Sequence, residues 1–226
     1  MPSNLRSKIH SFPANRSCVS VAAIGSSHSG KAVGIQGPGL YNAALMSTLT
    51  ADQATLILTA SGLPSLNAEH PVTKRVIAAI PAEKADYRPD NILRSAIDLA
   101  WHIVASETRF LEAVASGAFD FSGAARPESI RTPADVVDWY SGRFAKNVDR
   151  LRQMAGDQLI KIIDFRGLLQ FPAVVYVQIG LSHSIHHRGQ LSMYLRPMGA
   201  KVPSIYGESY DAREAREKAQ AAPRGL

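Results

Sequence analysis

The stretch LSHSIHHRGQLSMYLRPMG, residues 181–199, decides how this sequence is interpreted. His183 and His187 stand four positions apart, so on an α-helix both imidazoles lie on one face, about one turn apart. Two histidines with this spacing can converge on a single metal ion. The stretch therefore predicts a helix that carries part of a metal site and ends before Pro197.

The predicted helix covers about residues 172–196, and polar side chains continue along its His183 face. At about 100° per residue, this face includes Tyr176, Gln190 and Tyr194. Burying such groups costs free energy unless they have partners, which a metal, waters and a polar ligand would supply. We therefore expect these three side chains to orient a ligand, while ordinary packing stays the alternative for the two tyrosines.

A third histidine is expected, because a catalytic zinc usually has three protein ligands and an open position. The best candidate is His102, which lies inside an apolar helical stretch where a buried imidazole needs a partner. Ser106 and Arg109 follow it by four and seven positions, so both are expected to line the same cavity. An isolated HxxxH pair has ordinary structural explanations, so only the surrounding sequence makes the pattern specific.

Helix signals elsewhere predict an α-helical protein. Thr50 and Gln53 have the spacing of a capping box, Thr132 precedes a proline at a first helical position, and Gly117 closes a long helix. The predicted helices cover about residues 51–61, 69–80, 91–116, 132–156 and 172–196. Residues 160–171 could hold a short extended piece. An α-helical bundle is the simplest architecture for this pattern.

Residues 1–49 differ from the rest of the chain, being rich in Ser and Gly, free of acidic residues and without a periodic apolar pattern. Three interpretations compete: a disordered tail, an organelle transit peptide, or upstream sequence included through a start-site error. The third is favoured, because Met46 lies just before the first predicted helix. We therefore expect a disordered or non-native extension over 1–49, a helical domain over 50–207 and a flexible tail over 208–226.

Composition and charge exclude several classes of protein. No apolar run approaches the roughly 18 residues that cross a bilayer, so no membrane is expected. The net charge of +6 is concentrated in residues 1–50, and the rest contains 21 basic and 19 acidic residues, which argues against nucleic-acid binding. The single cysteine, Cys18, excludes an intramolecular disulfide and a multi-cysteine zinc site. It agrees with a cytoplasmic protein.

A glycine-rich segment suggests one alternative function. Residues 25–31, GSSHSGK, follow an apolar run and resemble a nucleotide-binding P-loop. However, Ala32 stands where a Ser or Thr would hold magnesium, and no strand–helix repeat follows. The sequence therefore favours a coincidental match.

Four segments between residues 72 and 207 resemble the DinB family, also called DinB/YfiT-like metalloenzymes. They are PAEKADYRPD at 81–90, LAWHIVASE at 99–107, HSIHHRGQLSMYLRPMG at 183–199 and VPSIYG at 202–207. The last two together form the most distinctive signature. Residues 1–45 lie outside the resemblance.

The resemblance implies an all-α, four-helix bundle of the DinB/YfiT-like type, in which His102, His183 and His187 hold one divalent ion, zinc or nickel. It also implies a homodimer and a small-molecule substrate, because characterised relatives include transferases and isomerases that use low-molecular-weight thiols. The expected function is a metal-dependent hydrolase or thiol-dependent transferase. The alternative is a non-catalytic helical bundle with a structural or vestigial metal site.

Overall fold

The computed structural model of this chain describes residues 49–123 and 125–221. These residues form a mostly helical protein with one small β-hairpin. The P-loop-like segment at 25–31 and the competing interpretations of residues 1–48 concern parts of the chain outside the described residues.

The helices are numbered here in chain order. They are α1 (Ala51–Ile57), α2 (Leu63–Ala78), α3 (Ala96–Ser116), α4 (Pro133–Arg152), α5 (Gly156–Leu159), α6 (Ala173–Leu195) and α7 (Tyr210–Ala221). A π-helical turn, Leu58–Gly62, joins α1 to α2, and a 3₁₀ turn spans Ala82–Lys84. Across the described residues, none of the helices combines the length and the apolarity that crossing a bilayer requires.

The first two predicted helices form one continuous helical segment. The predicted break near Gly62 is wrong, because Gly62 itself has helical dihedral angles, φ −57° and ψ −59°. Pro64 lies just after the π-helical turn, where the regular pattern of helical hydrogen bonds is already interrupted. Pro71 lies inside α2 and does not begin it. Val76 and Ile77, both fully buried, show that packing of α2 on the core outweighs the local cost of this proline.

The predicted helix caps are confirmed. Thr50 and Gln53 form a reciprocal capping box at the start of α1, and Thr132 begins α4 in a second box. Gly117 ends α3 with φ at +84°, a conformation that favours glycine. The start of α3 lies five residues later than the expected residue 91, because Ser95 is its N-cap.

A small hairpin departs from the all-helical expectation. Strand β1 (Ile162–Phe165) pairs antiparallel with β2 (Leu169–Pro172), and Ile163 lies opposite Phe171. Both of these side chains are buried in the core. Four-residue strands are too short to give a clear alternating pattern in a sequence. The all-α prediction therefore holds for most of the described residues, and the hairpin lies where the sequence allowed a short extended piece.

The core lies between α2, α3, α4 and α6. Helix α3 packs against both α4 and α6, and α2 packs against the same two helices. The approach of α6 to α3 is close at Gly180, where an added Cβ would lie 2.7 Å from Cβ of Phe110. This contact brings together the two helices that carry the three histidines.

Residues after α6 return to the helical body before forming α7. Arg196 and Asp211 make a two-pronged ion pair, with Nη1 and Nη2 at 3.0 Å and 2.8 Å from the two carboxylate oxygens. Oδ2 of Asp211 also accepts a hydrogen bond from the backbone N of Val202 at 2.8 Å. Most of residues 208–221 are thus placed in a helix. The flexibility expected of residues 208–226 stays a prediction.

Candidate metal centre

Three imidazoles converge between α3 and α6. His102 lies on α3, and His183 and His187 lie one turn apart on α6. Each ring offers one nitrogen, and these three nitrogens all lie within 4.8 Å of one another. The histidines chosen from the sequence are therefore brought together at one point, although His102 is far from the other two along the chain.

The closest pair of ring nitrogens has the spacing of two ligands on one ion. Nε2 of His102 lies 3.3 Å from Nε2 of His187. Two nitrogens bound to a tetrahedral zinc at about 2.0–2.1 Å would lie about 3.3 Å apart. The two rings would therefore need to move little in order to bind one ion.

The outer nitrogens of the same two rings face polar side chains. Nδ1 of His187 lies 2.7 Å from Oε1 of Gln190. Because an amide oxygen can only accept, this contact places the proton on Nδ1 and leaves the lone pair of Nε2 for a metal. Nδ1 of His102 lies 3.5 Å from Oγ of Ser106. Gln190 and Ser106 therefore contact the outer nitrogens of two candidate ligands, and their role in supporting a metal site stays a prediction.

The two tyrosines expected near the site have other neighbours. The hydroxyl of Tyr176 lies 2.9 Å from the carbonyl oxygen of Ile163 and 3.0 Å from that of Leu169, so it joins α6 to the hairpin. The ring of Tyr194 lies edge-on to Tyr87, with 6.2 Å between the ring centroids. A role for either tyrosine in orienting a ligand stays a prediction.

The surroundings of the site favour neutral imidazoles. Burial is the main cause, lowering the pKa of His102 to about 3 and that of His183 to about 4. Burial also lowers the pKa of His187. The positive charge of Arg94 acts in the same direction on all three rings. Since the neutral imidazole is the form that binds metal, the group is ready for a cation at neutral pH.

The polar atoms of the site fit a bound metal. Nδ1 of His183 is buried and has no hydrogen-bond partner among the described residues. A buried polar atom without a partner costs free energy, which a metal ion or its bound ligand at this position would offset. Three neutral nitrogen donors also suit a borderline divalent cation such as zinc or nickel. His102, His183 and His187 could therefore hold a metal ion.

Comparison with known proteins assigns the chain to a family. The sequence profile described as the DinB family matches residues 58–220, which is most of the chain. The chain belongs to the DinB family. The resemblance drawn from the four sequence segments is thereby confirmed.

Named relatives agree with the DinB assignment. The uncharacterized protein YjoA of Bacillus subtilis strain 168 is 29% identical over 131 residues, which cover 57% of this chain and 82% of YjoA. The crystal structure of the DinB-like YjoA has a TM-score of 0.54 at 24% identity, covering 64% of this chain and 96% of that one. A DinB-like protein from Bacillus cereus ATCC 10987 has a TM-score of 0.56 at 23% identity, covering 66% and 97%. At these identities the structural likeness shows the DinB fold alone.

A cavity of about 200 Å³ opens beside His102 in this DinB-family chain. Its wall includes Ser106 and Arg109, as expected from their spacing after His102, and Arg94 from the segment before α3. A space of this size admits several waters or a small molecule. One of the three candidate ligands therefore borders a space that a small molecule can enter.

Sequence reasoning missed a buried ionic cluster behind the histidines. Arg188 is 1% exposed and forms an ion pair with Glu69, with 2.6 Å between Nη1 and Oε2. Its Nη2 donates to the hydroxyl of Tyr206 at 2.6 Å. Glu107, also buried, accepts a hydrogen bond from the hydroxyl of Tyr140, and desolvation raises its pKa. The sequence signal that could have revealed this cluster is a charged residue in the middle of an apolar helix, Glu107 in α3.

Proposed function

We propose that this DinB-family protein binds one divalent metal ion, zinc or nickel, on His102, His183 and His187. The ion would activate a small nucleophile, water or a low-molecular-weight thiol, against a small electrophilic substrate. The observation that carries the proposal is the convergence of three neutral imidazole nitrogens within 4.8 Å of one another.

The number and exposure of the candidate ligands favour an accessible ion. Structural zinc sites usually have four protein ligands, whereas catalytic sites have three and keep a position for water or substrate. Within the described part of the chain, the group consists of three histidines, and all three are partly exposed. The cavity beside His102 would bring a small molecule next to one of the three candidate ligands.

The chemistry of such a centre follows from its charge. Three neutral ligands leave a divalent ion with its full charge of two, which lowers the pKa of a bound water or thiol toward neutrality. The chain's own side chains fix the ligands: Gln190 holds His187 in one tautomer, and Ser106 lies behind His102. Hydrolysis and thiol transfer differ only in which nucleophile occupies the open position.

Metal analysis of two matched variants tests the site. His187→Ala removes one ligand, whereas His186→Ala removes its neighbour on α6, which is not part of the group. We expect about one metal ion per chain in the unsubstituted protein and in His186→Ala, with a loss in His187→Ala, measured by mass spectrometry of the dissolved metal. Unchanged metal content in His187→Ala would contradict the proposal.

A conjugation assay separates catalysis from a structural role. The protein is incubated with low-molecular-weight thiols and electrophilic substrates in three states: as purified, after its metal is removed by a chelator, and after zinc or nickel is added back. We expect conjugate or hydrolysis product to form only with metal present. A protein that binds the ion, loses thermal stability on chelation and forms no product would instead fit the non-catalytic alternative.

The proposal also includes the assembly expected of the family. The joined segment α1–α2 together with α3, α4 and α6 would form the four-helix bundle, and the mutual packing of these helices supports this. The chain would form a homodimer. Light scattering after gel filtration should then give a mass near twice the chain's 24.4 kDa.

A further inference from the structure

A cleft with an excess of positive charge adjoins the candidate metal centre. This basic cleft is the cavity of about 200 Å³ whose wall includes Arg94, Asp98, Trp101, His102, Arg109 and Arg126. Three arginines against one carboxylate give its wall a formal charge of +2. A cleft lined by one sign of charge concentrates small ions of the opposite sign. The wall therefore favours anions even before a metal adds its own charge.

Two of the three arginines form no ion pair with a described carboxylate, although the charge of Arg109 helps to lower the pKa of Asp120. Arg126 forms an ion pair with Asp98, with 3.0 Å between Nε and Oδ1. Among the described residues, no carboxylate forms an ion pair with Arg94 or with Arg109. Nε of Arg109 donates to the carbonyl oxygen of Asp120 at 3.0 Å, which fixes the guanidinium and leaves both Nη groups for a ligand.

Arg94 and Arg109, the two arginines without an ion pair among the described residues, both lie close to the imidazole of His102. Each lines the same cavity as His102, and the charge of each contributes to the lowered pKa of that histidine. The guanidinium of arginine matches an oxyanion with two parallel hydrogen bonds. An oxyanion held by Arg94 and Arg109 would thus lie beside His102.

Buried donors without partners extend the cleft. Trp101 is 6% exposed and Thr108 is 4% exposed, and the polar side-chain atom of each has no partner among the described residues. Both line a second cavity of about 260 Å³ that shares Trp101 and Arg109 with the basic cleft. The rings of Trp101 and Trp139 lie 4.6 Å apart in its wall. Unpaired donors indicate a polar ligand, and paired indoles suit a flat apolar group.

We propose that the basic cleft binds the substrate as a small organic anion, with its carboxylate or phosphate group on Arg94 and Arg109 and its apolar part against Trp101 and Trp139. This inference rests on the proposed function, because it places the reactive part of the same molecule beside His102. Carboxylate and phosphate present the same oxyanion to arginine, so the ligand chemistry is shared and the experiment separates the two sources.

Intrinsic fluorescence measures binding directly, because both tryptophans of the chain line the second cavity and Trp101 lines the basic cleft as well. Zinc-loaded protein is titrated with phenylacetate, phenyl phosphate and the neutral phenylacetamide at constant ionic strength. We expect at least one of the two anions to bind at least tenfold more tightly than the amide, and the tighter anion identifies the oxyanion. Equal affinity for the amide and both anions would overturn the proposal.

Substitution of the arginines locates the anion. Arg94→Gln and Arg109→Gln should each weaken binding of the tighter anion by about tenfold, the usual effect of losing a charged hydrogen bond. Arg152→Gln removes the same charge from an exposed pair with Asp149 outside the cleft, and should leave affinity unchanged. The inference would be overturned if both cleft variants bind the tighter anion as well as the unsubstituted protein does. It would also be overturned if the affinity for that anion depends only on whether metal is bound.

Metal content measured on the same samples separates this inference from the proposed function. A protein without bound metal that still binds phenylacetate through Arg94 and Arg109 would contradict the metal site and support the cleft. A metal-loaded protein whose anion binding ignores both arginines would contradict the cleft and support the metal site.

Discussion

Nη1 of Arg188 lies 2.6 Å from Oε2 of Glu69, and this ion pair joins α6 to α2 in the interior of the protein. Arg188 directly follows His187, so the pair fixes the turn of α6 that carries a candidate ligand. Nη1 also lies 3.2 Å from the hydroxyl of Thr73 on α2. A buried arginine with several partners specifies one orientation of its helix.

Arg188→Met should destabilise the protein by about 3–5 kcal/mol, because it leaves the carboxylate of Glu69 inside without its partner. Urea denaturation monitored by circular dichroism measures the change. Arg152→Met removes one partner of an exposed pair and should alter stability by less than about 1 kcal/mol. Equal effects of the two substitutions would show that burial of the Arg188 pair contributes nothing.

Gln190→Leu should weaken metal binding by about 10- to 100-fold, because the outer nitrogen of His187 loses the acceptor that sets its tautomer. Competition against a chromogenic chelator measures the affinity. Gln178→Leu is the matched control on the same helix, since Gln178 is exposed and contacts Ser182. An affinity in Gln190→Leu equal to that of Gln178→Leu would rule out this support of His187.

Gly180→Ala should cost about 1–3 kcal/mol, because the new methyl group would lie 2.7 Å from Cβ of Phe110, which cannot rotate away. Relief requires α6 to move away from α3, which should also weaken metal binding. Gly189→Ala on the same helix meets nothing within 4 Å and should stabilise by about 0.5–1 kcal/mol. Thermal melting and metal titration of both variants test whether the close contact between α6 and α3 keeps the histidines together.

The metal-free protein should lose histidine-linked stability as the pH falls below about 6.5. Burial lowers the pKa of His70 to about 4, below the 6.5 of an exposed histidine. Between these values the unfolded chain binds a proton that the folded chain does not, so protonation favours unfolding. The contribution is complete above about pH 6.5 and is lost progressively toward pH 4.

Comparing the unsubstituted protein with His70→Leu, both after metal removal by a chelator, isolates the titration of His70. When the pH is lowered from 7.5 to 5, the free energy of unfolding should fall more in the unsubstituted protein than in His70→Leu. Glu107 has a raised pKa and acts in the opposite direction, but it is present in both proteins and cancels. A difference that stays constant with pH would contradict the lowered pKa of His70.

Local signals account for what could be predicted from the sequence. Capping at Thr50 and Thr132 depends on residues three positions away, and the spacing of His183 and His187 depends on one helical turn. Such patterns need no knowledge of distant packing. The same locality explains the wrong break at Gly62, where burial of the following helix decides the outcome.

Contacts between distant segments account for what could not be predicted. A helical wheel places Tyr176 on the histidine face of α6, but it cannot show that the hydroxyl bonds to the hairpin. The basic cleft combines Arg94 and Arg126 from loops with Arg109 from α3, and no spacing in the sequence joins them. Only the assembled helices bring these charges to one side of His102.

The π-helical turn at Leu58–Gly62 gives the joined helix one residue more than a regular α turn would hold over the same rise. Deleting a single residue inside this turn would therefore regularise the helix and leave α1 in nearly the same rotational register. A one-residue deletion in the regular helix on either side has no such outlet and would rotate α1 by about 100° about its axis. That rotation would carry Ala54, which is fully buried, away from the interior. Single-residue deletions should therefore be tolerated better inside the π turn than in the α-helical residues beside it.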